Sequence, residues 1–193
     1  MKQKLENGPK SANEFCLVIL RNDLIKNGRV PDAFKDLLSL KGIKMVHGEM
    51  IMPTRSLMEK FCHKDDTWLI AAGQKTVNIL RATQQPLKKD VLEYGYDILR
   101  SIIDYNTEGV FWALLLFGPD ACARINKLVG DINPEQAGYG SMRAKYSSDS
   151  GYKAFKEARA IRNCVDCSES PSNSLFQVGL LWPGLNLNNL VSS

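Results

Sequence analysis

Several features that define other protein classes are missing from this sequence. No apolar run approaches the roughly 18 residues that a transmembrane helix needs, since the longest, residues 110–117, has the length of a strand. The first ten residues lack the apolar centre of a secretory signal. Lysines and arginines are scattered and not clustered on one helix face, which argues against a nucleic-acid platform. We therefore expect neither a membrane protein nor a nucleic-acid-binding one.

Histidine and cysteine are too sparse to support several kinds of catalytic or metal site. His47 and His63 have no serine and aspartate context of a hydrolase triad. The five cysteines are odd in number and lack a framework spacing, so we expect a reducing, intracellular and cytoplasmic setting. Cys164 and Cys167 have CxxC spacing, but no second pair lies at zinc distance. One buried and one exposed cysteine explain the pair, and we predict no metal site.

Composition and length indicate one globular domain with a short extension at each end. The 193 residues are enough for a sizeable core, and 44% apolar with 24% charged residues is ordinary for a soluble protein. We expect residues 1–13 to be a flexible tail, residues 14–182 to form the domain, and residues 183–193 to extend along the surface or onto a neighbouring subunit.

Four segments are predicted as strands. Residues 15–20 and 110–117 are continuous apolar runs, which is typical of strands buried on both faces. Residues 43–52 and 161–165 are predicted as the other two strands. Together with the intervening helices, this order is typical of an α/β (α+β) fold, a ferredoxin-like four-stranded antiparallel sheet with flanking helices, which we expect on one side.

Helices are predicted between these strands from apolar spacing and from their end signals. Pro31 is expected in the first turn of one helix, and Thr54 is expected to cap another. Further helices are predicted at 88–105, 121–129, 151–158 and 175–181. Residues 130–143 are rich in glycine, asparagine and proline and are predicted as a long, functional loop.

Short sequence words in the second half of the chain resemble those of a known family. In order they are GDINP at 130–134, GSMR at 140–143, YSSDS at 146–150, AIRN at 160–163 and DCSES at 166–170. The set resembles the motifs of nucleoside diphosphate kinases, and the resemblance covers about residues 14–182. An insert at about 63–107 is similar to that of the larger variants of the family. The resemblance implies a nucleoside diphosphate kinase type of ferredoxin-like sheet.

The resemblance also implies a nucleotide site. Arg143 matches an arginine that contacts nucleotide phosphates, Asn163 an asparagine on the ribose side, and Ser168 the serine two residues after the catalytic histidine. If binding is retained, the ligand implied is a magnesium complex of ATP or ADP. Simpler roles stay open: Arg143 as a surface ion-pair partner, Asn163 as a satisfied residue at a strand edge, and Ser168 as a helix N-cap.

The position of the phosphate-carrying histidine is occupied by Asp166. An aspartate can accept a phosphoryl group, but its ordinary pKa near ~3.9 makes it an anion facing an anionic phosphate. The other departures from the family pattern fall on Arg21, Asn22, Cys62, Asn126, Ile132, Tyr139 and Gln177. Repulsion at Asp166 would then be poorly compensated, and weak nucleotide affinity with little turnover is expected.

Three functions follow as hypotheses. The first is a catalytically degenerate family member that acts as a binding or scaffold subunit of a homo- or hetero-oligomer, with apolar surface from Ile102, Ile103 and residues 185–190. The second is a kinase with residual phosphotransfer, or with transfer through Asp166. The third is a nucleotide-sensing module, which would be favoured over the first only if Arg21 and Arg143 converge.

Overall fold

The computed structural model describes residues 12–191. Of the tail predicted for residues 1–13, residues 1–11 therefore lie outside the described residues. The elements follow in the order β1 (Asn13–Leu20), α1 (Asn22–Lys26), α2 (Val30–Leu38), β2 (Lys44–Ile51), α3 (Arg55–Phe61), α4 (Asp66–Ala82), α5 (Val91–Thr107), β3 (Phe111–Pro119), α6 (Ala121–Val129), α7 (Met142–Tyr146), α8 (Gly151–Lys156), β4 (Val165–Cys167), α9 (Pro171–Leu181) and α10 (Leu187–Val191).

The strands form the four-stranded antiparallel sheet that the sequence predicts. Their order across the sheet is β2-β3-β1-β4, so the two apolar strands β1 and β3 are central and β2 and β4 are the edges. The β1–β3 pairing runs from Asn13 opposite Pro119 to Leu20 opposite Trp112. Only three residues of β4 pair with β1, and one of these pairs places Asp166 opposite Ile19.

Helices cover both faces of the sheet, and the expectation of one-sided helices is wrong. Cys16, Val18 and Leu20 of β1 pack in a core with α2 and α6, whereas Leu17 and Ile19 pack in a second core with α3, α5 and α9. Alternate residues of a strand point to opposite faces, so a fully apolar strand needs cover on both. The continuous run of β1 requires this arrangement.

The insert between α3 and β3 is a pair of long helices in close contact. α4 and α5 cross at Gly73 and Gly95, where an added Cβ would lie 1.8 Å from the Val91 carbonyl oxygen and 2.2 Å from the Leu69 carbonyl oxygen, respectively. A side chain at either glycine would thus force the helices apart. The crossing fixes the course of α5, whose last turns bring Tyr105 to the sheet.

The strand predicted at 161–165 is mostly irregular, and β4 covers only Val165–Cys167. Cys164 has a backbone φ of 56°, in the left-handed region that side chains other than glycine rarely adopt. A strand cannot continue through such a residue. The backbone is held there by its neighbours, because the Arg21 N–H donates to the Cys164 carbonyl and the Cys164 N–H donates to the Tyr105 hydroxyl.

The end of the described chain folds back on the domain. α10 contacts β2, and Leu185, Leu187 and Leu190 pack against the second core. Ile103 is buried in that core, and Ile102 packs against it. The apolar surface expected from these residues for a partner is therefore used largely within the chain itself. No helix in residues 12–191 is long and apolar enough to cross a membrane.

Candidate functional site

Two arginines and one aspartate meet where β1 ends and β4 begins. Arg21 directly follows β1, and the pairing of Ile19 with Asp166 brings β4 beside that end. Arg143 comes from α7, whose N-cap Ser141 accepts a hydrogen bond from the Ala144 N–H. Asp166 is 145 residues from Arg21 and 23 residues from Arg143 in sequence, but the three side chains form one cluster.

The Asp166 carboxylate lies between the two guanidinium groups. Its Oδ2 accepts a hydrogen bond from Arg21 Nη2 at 3.0 Å, and its Oδ1 accepts one from Arg143 Nη2 at 3.4 Å. The side chains of Arg21 and Arg143 are 8% and 9% exposed, whereas that of Asp166 is 38% exposed. The carboxylate is therefore the solvent-facing member of the cluster.

Arg21 is held by Asn163 and Tyr105 as well as by Asp166. Its Nη1 donates to Asn163 Oδ1 at 2.9 Å, and its guanidinium carbon lies 4.6 Å from the centre of the Tyr105 ring. Burial alone would lower the pKa of Arg21, but the electrostatic interactions with the Asp166 carboxylate and with Tyr105 raise it above its ordinary value. Arg21 therefore stays protonated, and its stacking on Tyr105 adds a cation–π contact.

Arg143 is fixed mainly by backbone carbonyls. Its Nε donates to the Val165 carbonyl at 2.9 Å, and its Nη1 donates to the Gly130 carbonyl at 3.0 Å. Only Nη2 is directed at Asp166. Arg143 is buried and links two backbone carbonyls to the cluster, so it is not a surface ion-pair partner.

The other two predicted site residues have protein partners of their own. Asn163 accepts from Arg21 and donates to the Ile132 carbonyl at 3.3 Å. Ser168 is 1% exposed, and its hydroxyl donates to Gln177 Oε1 at 2.7 Å. Ser168 is not a helix N-cap, since α9 is capped by Ser170. The structure thus places Asn163 in the cluster, whereas the buried Ser168 hydroxyl contacts Gln177 of α9.

Several departures from the family pattern also lie around the cluster. Asn126 donates to the Ser168 carbonyl at 2.8 Å, so it lies beside β4 without carrying a charge. Ile132 is 56% exposed, and its backbone contacts Asn163. Cys62 is buried near Arg21. Burial raises the pKa of the Cys62 thiol to about 11, although the charge of Arg21 acts in the opposite direction. None of these side chains supplies a cation to Asp166.

Tyr105 is a site residue that the sequence analysis missed. Its ring makes cation–π contacts with Arg21 and Arg162, whose guanidinium carbons are 4.6 and 5.1 Å from the ring centre. Its hydroxyl donates to Asp23 at 2.7 Å and accepts from the Cys164 N–H at 3.2 Å. Tyr105 belongs to the insert, where no motif aligned, and its only sequence signal is its position at the end of an amphipathic helix.

The two cysteines with CxxC spacing are similar in their chemistry. Cys164 is buried and Cys167 is half-buried, and burial raises the pKa of each thiol to about 12. Within residues 12–191, no group of three or more histidine, cysteine, aspartate or glutamate side chains is arranged to hold a metal ion. Both thiols thus stay protonated at neutral pH and are poor nucleophiles.

Asp149, in the YSSDS word, supports the segment that leads to Asp166. Its carboxylate accepts hydrogen bonds from Arg159 at 2.6 and 2.9 Å and from the Arg162 N–H at 2.6 Å. Burial by itself would raise the pKa of Asp149, but these bonds outweigh it and lower the pKa to about 2. Asp149 therefore ties the 147–150 turn to the irregular 161–164 segment.

Asp149→Asn is expected to lower the free energy of unfolding at pH 7 by on the order of 2 kcal/mol. A depressed pKa stabilises the fold above the unfolded value near ~3.9, and the contribution is lost as the pH falls towards the folded value of about 2. In urea unfolding, the difference between wild type and variant should be constant above pH 5 and shrink below pH 4.

Asp32→Asn is the matched control, because the Arg29–Asp32 pair is exposed and contributes little. A wild-type advantage over Asp149→Asn that stays unchanged between pH 6 and pH 3 would contradict this role.

The chain is similar in sequence and in fold to known proteins. No protein-family model matches the chain. It is 34% identical over 169 residues to a nucleoside diphosphate kinase of Pyrobaculum aerophilum, covering 83% of this chain and 90% of the relative. The crystal structure of an NDP kinase from that organism matches with a TM-score of 0.84 at 28% identity, over 93% of this chain and 99% of the other.

A more distant match confirms the fold. The transition-state mimic of the Borrelia burgdorferi nucleoside diphosphate kinase, with bound vanadate and ADP, has a TM-score of 0.71 at 17% identity. It covers 90% of this chain and 91% of that one. At this identity the likeness is one of fold alone.

Proposed function

The chain belongs to the nucleoside diphosphate kinase family, and we propose that it is a catalytically degenerate member that serves as a binding or scaffold subunit of an oligomer. The observation that carries the proposal is that Asp166 is ion-paired with two arginines. The residue at the nucleophile position is the counter-ion of Arg21 and Arg143. A carboxylate held in this way is a poor attacking group, because its lone pairs already accept charged hydrogen bonds.

The surroundings of Asp166 support the same function. Phosphoryl transfer depends on donors and cations that are placed before the reaction to receive the charge of the transition state. Asn126 and Ile132 contribute neither a charge nor a hydroxyl where the resemblance implies an arginine and a threonine. Gln177 is engaged with Ser168 and carries no charge that would orient a histidine.

Nucleotide sensing is a second candidate, and the convergence of Arg21 and Arg143 favours it. Both guanidinium groups remain at the site and reach the same carboxylate. Titration calorimetry with ATP, ADP and GDP in the presence of Mg²⁺, beside a phosphotransfer assay, separates the candidates. Binding without transfer would support sensing, absence of both would support the scaffold role, and transfer would support an active kinase.

An oligomer is expected because β2 is an open edge. Edge strands present unpaired N–H and C=O groups that can pair with another strand. Met45, Met50 and Met52, in or beside this edge, are 42, 48 and 67% exposed. Light scattering at micromolar concentration should therefore give a mass above the 21.6 kDa of one chain, alone or with a related subunit.

The double variant Met45→Lys/Met50→Lys should reduce that mass towards the monomer, since lysine on an edge discourages pairing. Leu38→Lys is the control, because Leu38 is 48% exposed but lies on α2. A monomer mass for the wild type, with no related subunit recovered by affinity purification, would count against assembly.

A further inference from the structure

Arg21 and Arg143 together carry more positive charge than the Asp166 carboxylate neutralises. Apart from the nitrogen aimed at Asp166, Arg143 donates to two backbone carbonyls and Arg21 to Asn163. Arg21 Nε is buried and has no hydrogen-bond partner among the described residues. Two positive charges face one negative charge, so the three side chains together keep a net positive charge.

Asp166 is the part of this cluster that an external molecule would meet first. The two arginine side chains are less than a tenth exposed, whereas that of Asp166 is 38% exposed. Among residues 12–191, the partners of the Asp166 carboxylate are the two arginines and the Cys167 N–H, which donates to Oδ1 at 3.1 Å. Rotation of this one side chain would present both Nη2 groups to another anion without moving either arginine.

We propose that the Asp166 carboxylate is the built-in occupant of this anion site, and that a phosphate group binds there only by displacing it. Paired guanidinium groups suit a phosphate because each offers planar, permanently charged donors. Inorganic phosphate and the terminal phosphate of a nucleoside diphosphate both carry this chemistry. The proposal rests on the proposed function, since the counter-ion of the arginines is not also the carrier of a transferred phosphate.

The Asp166→Asn variant tests this displacement directly. An intramolecular competitor lowers the apparent affinity of an external ligand, and a tethered group acts at an effective concentration in the millimolar range or above. Removing its charge should strengthen the binding of inorganic phosphate by about tenfold or more, measured by titration calorimetry. In phosphate-free buffer the variant should melt several degrees below the wild type, because two buried charges lose their counter-ion.

Added phosphate should restore the Tm of Asp166→Asn and leave the Tm of the wild type nearly unchanged. Asp36→Asn is the matched control, since Asp36 also accepts from a cation, Lys145, but lies away from the two arginines. Its Tm should fall without any recovery in phosphate. Titration of Asp166→Asn with Mg-ADP beside inorganic phosphate distinguishes the two sources: a stronger response to Mg-ADP assigns a nucleotide, and an equal or weaker one assigns free phosphate.

The proposal is overturned if wild type and Asp166→Asn bind inorganic phosphate equally, or if neither responds to it. Should Asp166→Asn not fold in phosphate-free buffer, refolding of it and of Asp166→Ser with and without phosphate gives the answer. Folding that depends on phosphate supports the proposal, and failure of both variants to fold with phosphate contradicts it. These binding results are separate from the loss of catalysis in the proposed function, which is contradicted if the wild type transfers phosphate.

Discussion

Asp166→His alone should leave phosphotransfer from ATP to GDP near background, whereas Asp166→His/Asn126→Arg/Ile132→Thr/Gln177→Glu should exceed it by about 10⁴-fold. Each oriented donor lost from such a site costs about 10²–10³ in rate, and the single variant restores none of the lost groups around the nucleophile. The comparison therefore measures whether the whole site has changed or only one side chain.

The structure shows why the added substitutions are near enough to matter. Asn126 contacts the Ser168 carbonyl, two residues beyond Asp166, so a longer cation at 126 starts beside the site. Gln177 already contacts the Ser168 hydroxyl at 2.7 Å, and a glutamate there would bring a carboxylate close to a histidine at 166. That carboxylate would select the tautomer of the imidazole.

The matched control for the combined variant is the same set of changes with Asp166 kept. It should remain inactive, because the added donors have no neutral nucleophile to serve. If Asp166→His alone is nearly as active as the combined variant, the surrounding site is intact and the chain is a kinase that lacks only its histidine.

Wild-type protein incubated with γ-labelled ATP should carry no phosphate on Asp166. The carboxylate that would attack is bound to two guanidinium groups and would meet an anionic phosphate. The alternative, transfer through an aspartyl phosphate, makes a distinct chemical product. Its label would be sensitive to hydroxylamine and lost in Asp166→Asn, and finding such a label would establish the alternative. Asp32→Asn, which removes an exposed carboxylate and keeps Asp166, is the control and would retain it.

The central strands were predictable because their apolar runs have the length of strands. A run such as residues 15–20 is apolar at every position and shorter than a typical helix, which favours a strand covered on both faces. The same reasoning should have excluded helices on one side. The prediction of one-sided layers came from the order of elements, which does not determine the face on which each helix lies.

The fourth strand shows a limit of local pattern. Residues 161–165 have the composition of a strand, but the left-handed backbone of Cys164 ends regular pairing. That conformation is stabilised by contacts with Arg21 and Tyr105, which are distant in sequence. Because tertiary contacts override local propensity here, no reading of the segment alone predicts it.

The residues of the candidate site were predictable by type but not by arrangement. The sequence words single out Arg143, Asn163 and Asp166, and the sequence leaves open whether Arg21 converges on them. That convergence depends on the pairing of β1 with β4, which brings together residues 145 apart in the chain. Tyr105 was beyond prediction because it comes from the insert, whose packing depends on the helix crossing at Gly73 and Gly95.

The most direct test of the account is the rate at which the purified wild-type protein forms GTP from ATP and GDP in the presence of Mg²⁺. The account predicts no GTP above that formed without protein, because Asp166 is the counter-ion of Arg21 and Arg143. Asn126 and Ile132 supply neither the charge nor the hydroxyl that the family resemblance implies at those positions. Robust formation of GTP that is abolished in Asp166→Asn would contradict it and would assign the transfer to Asp166.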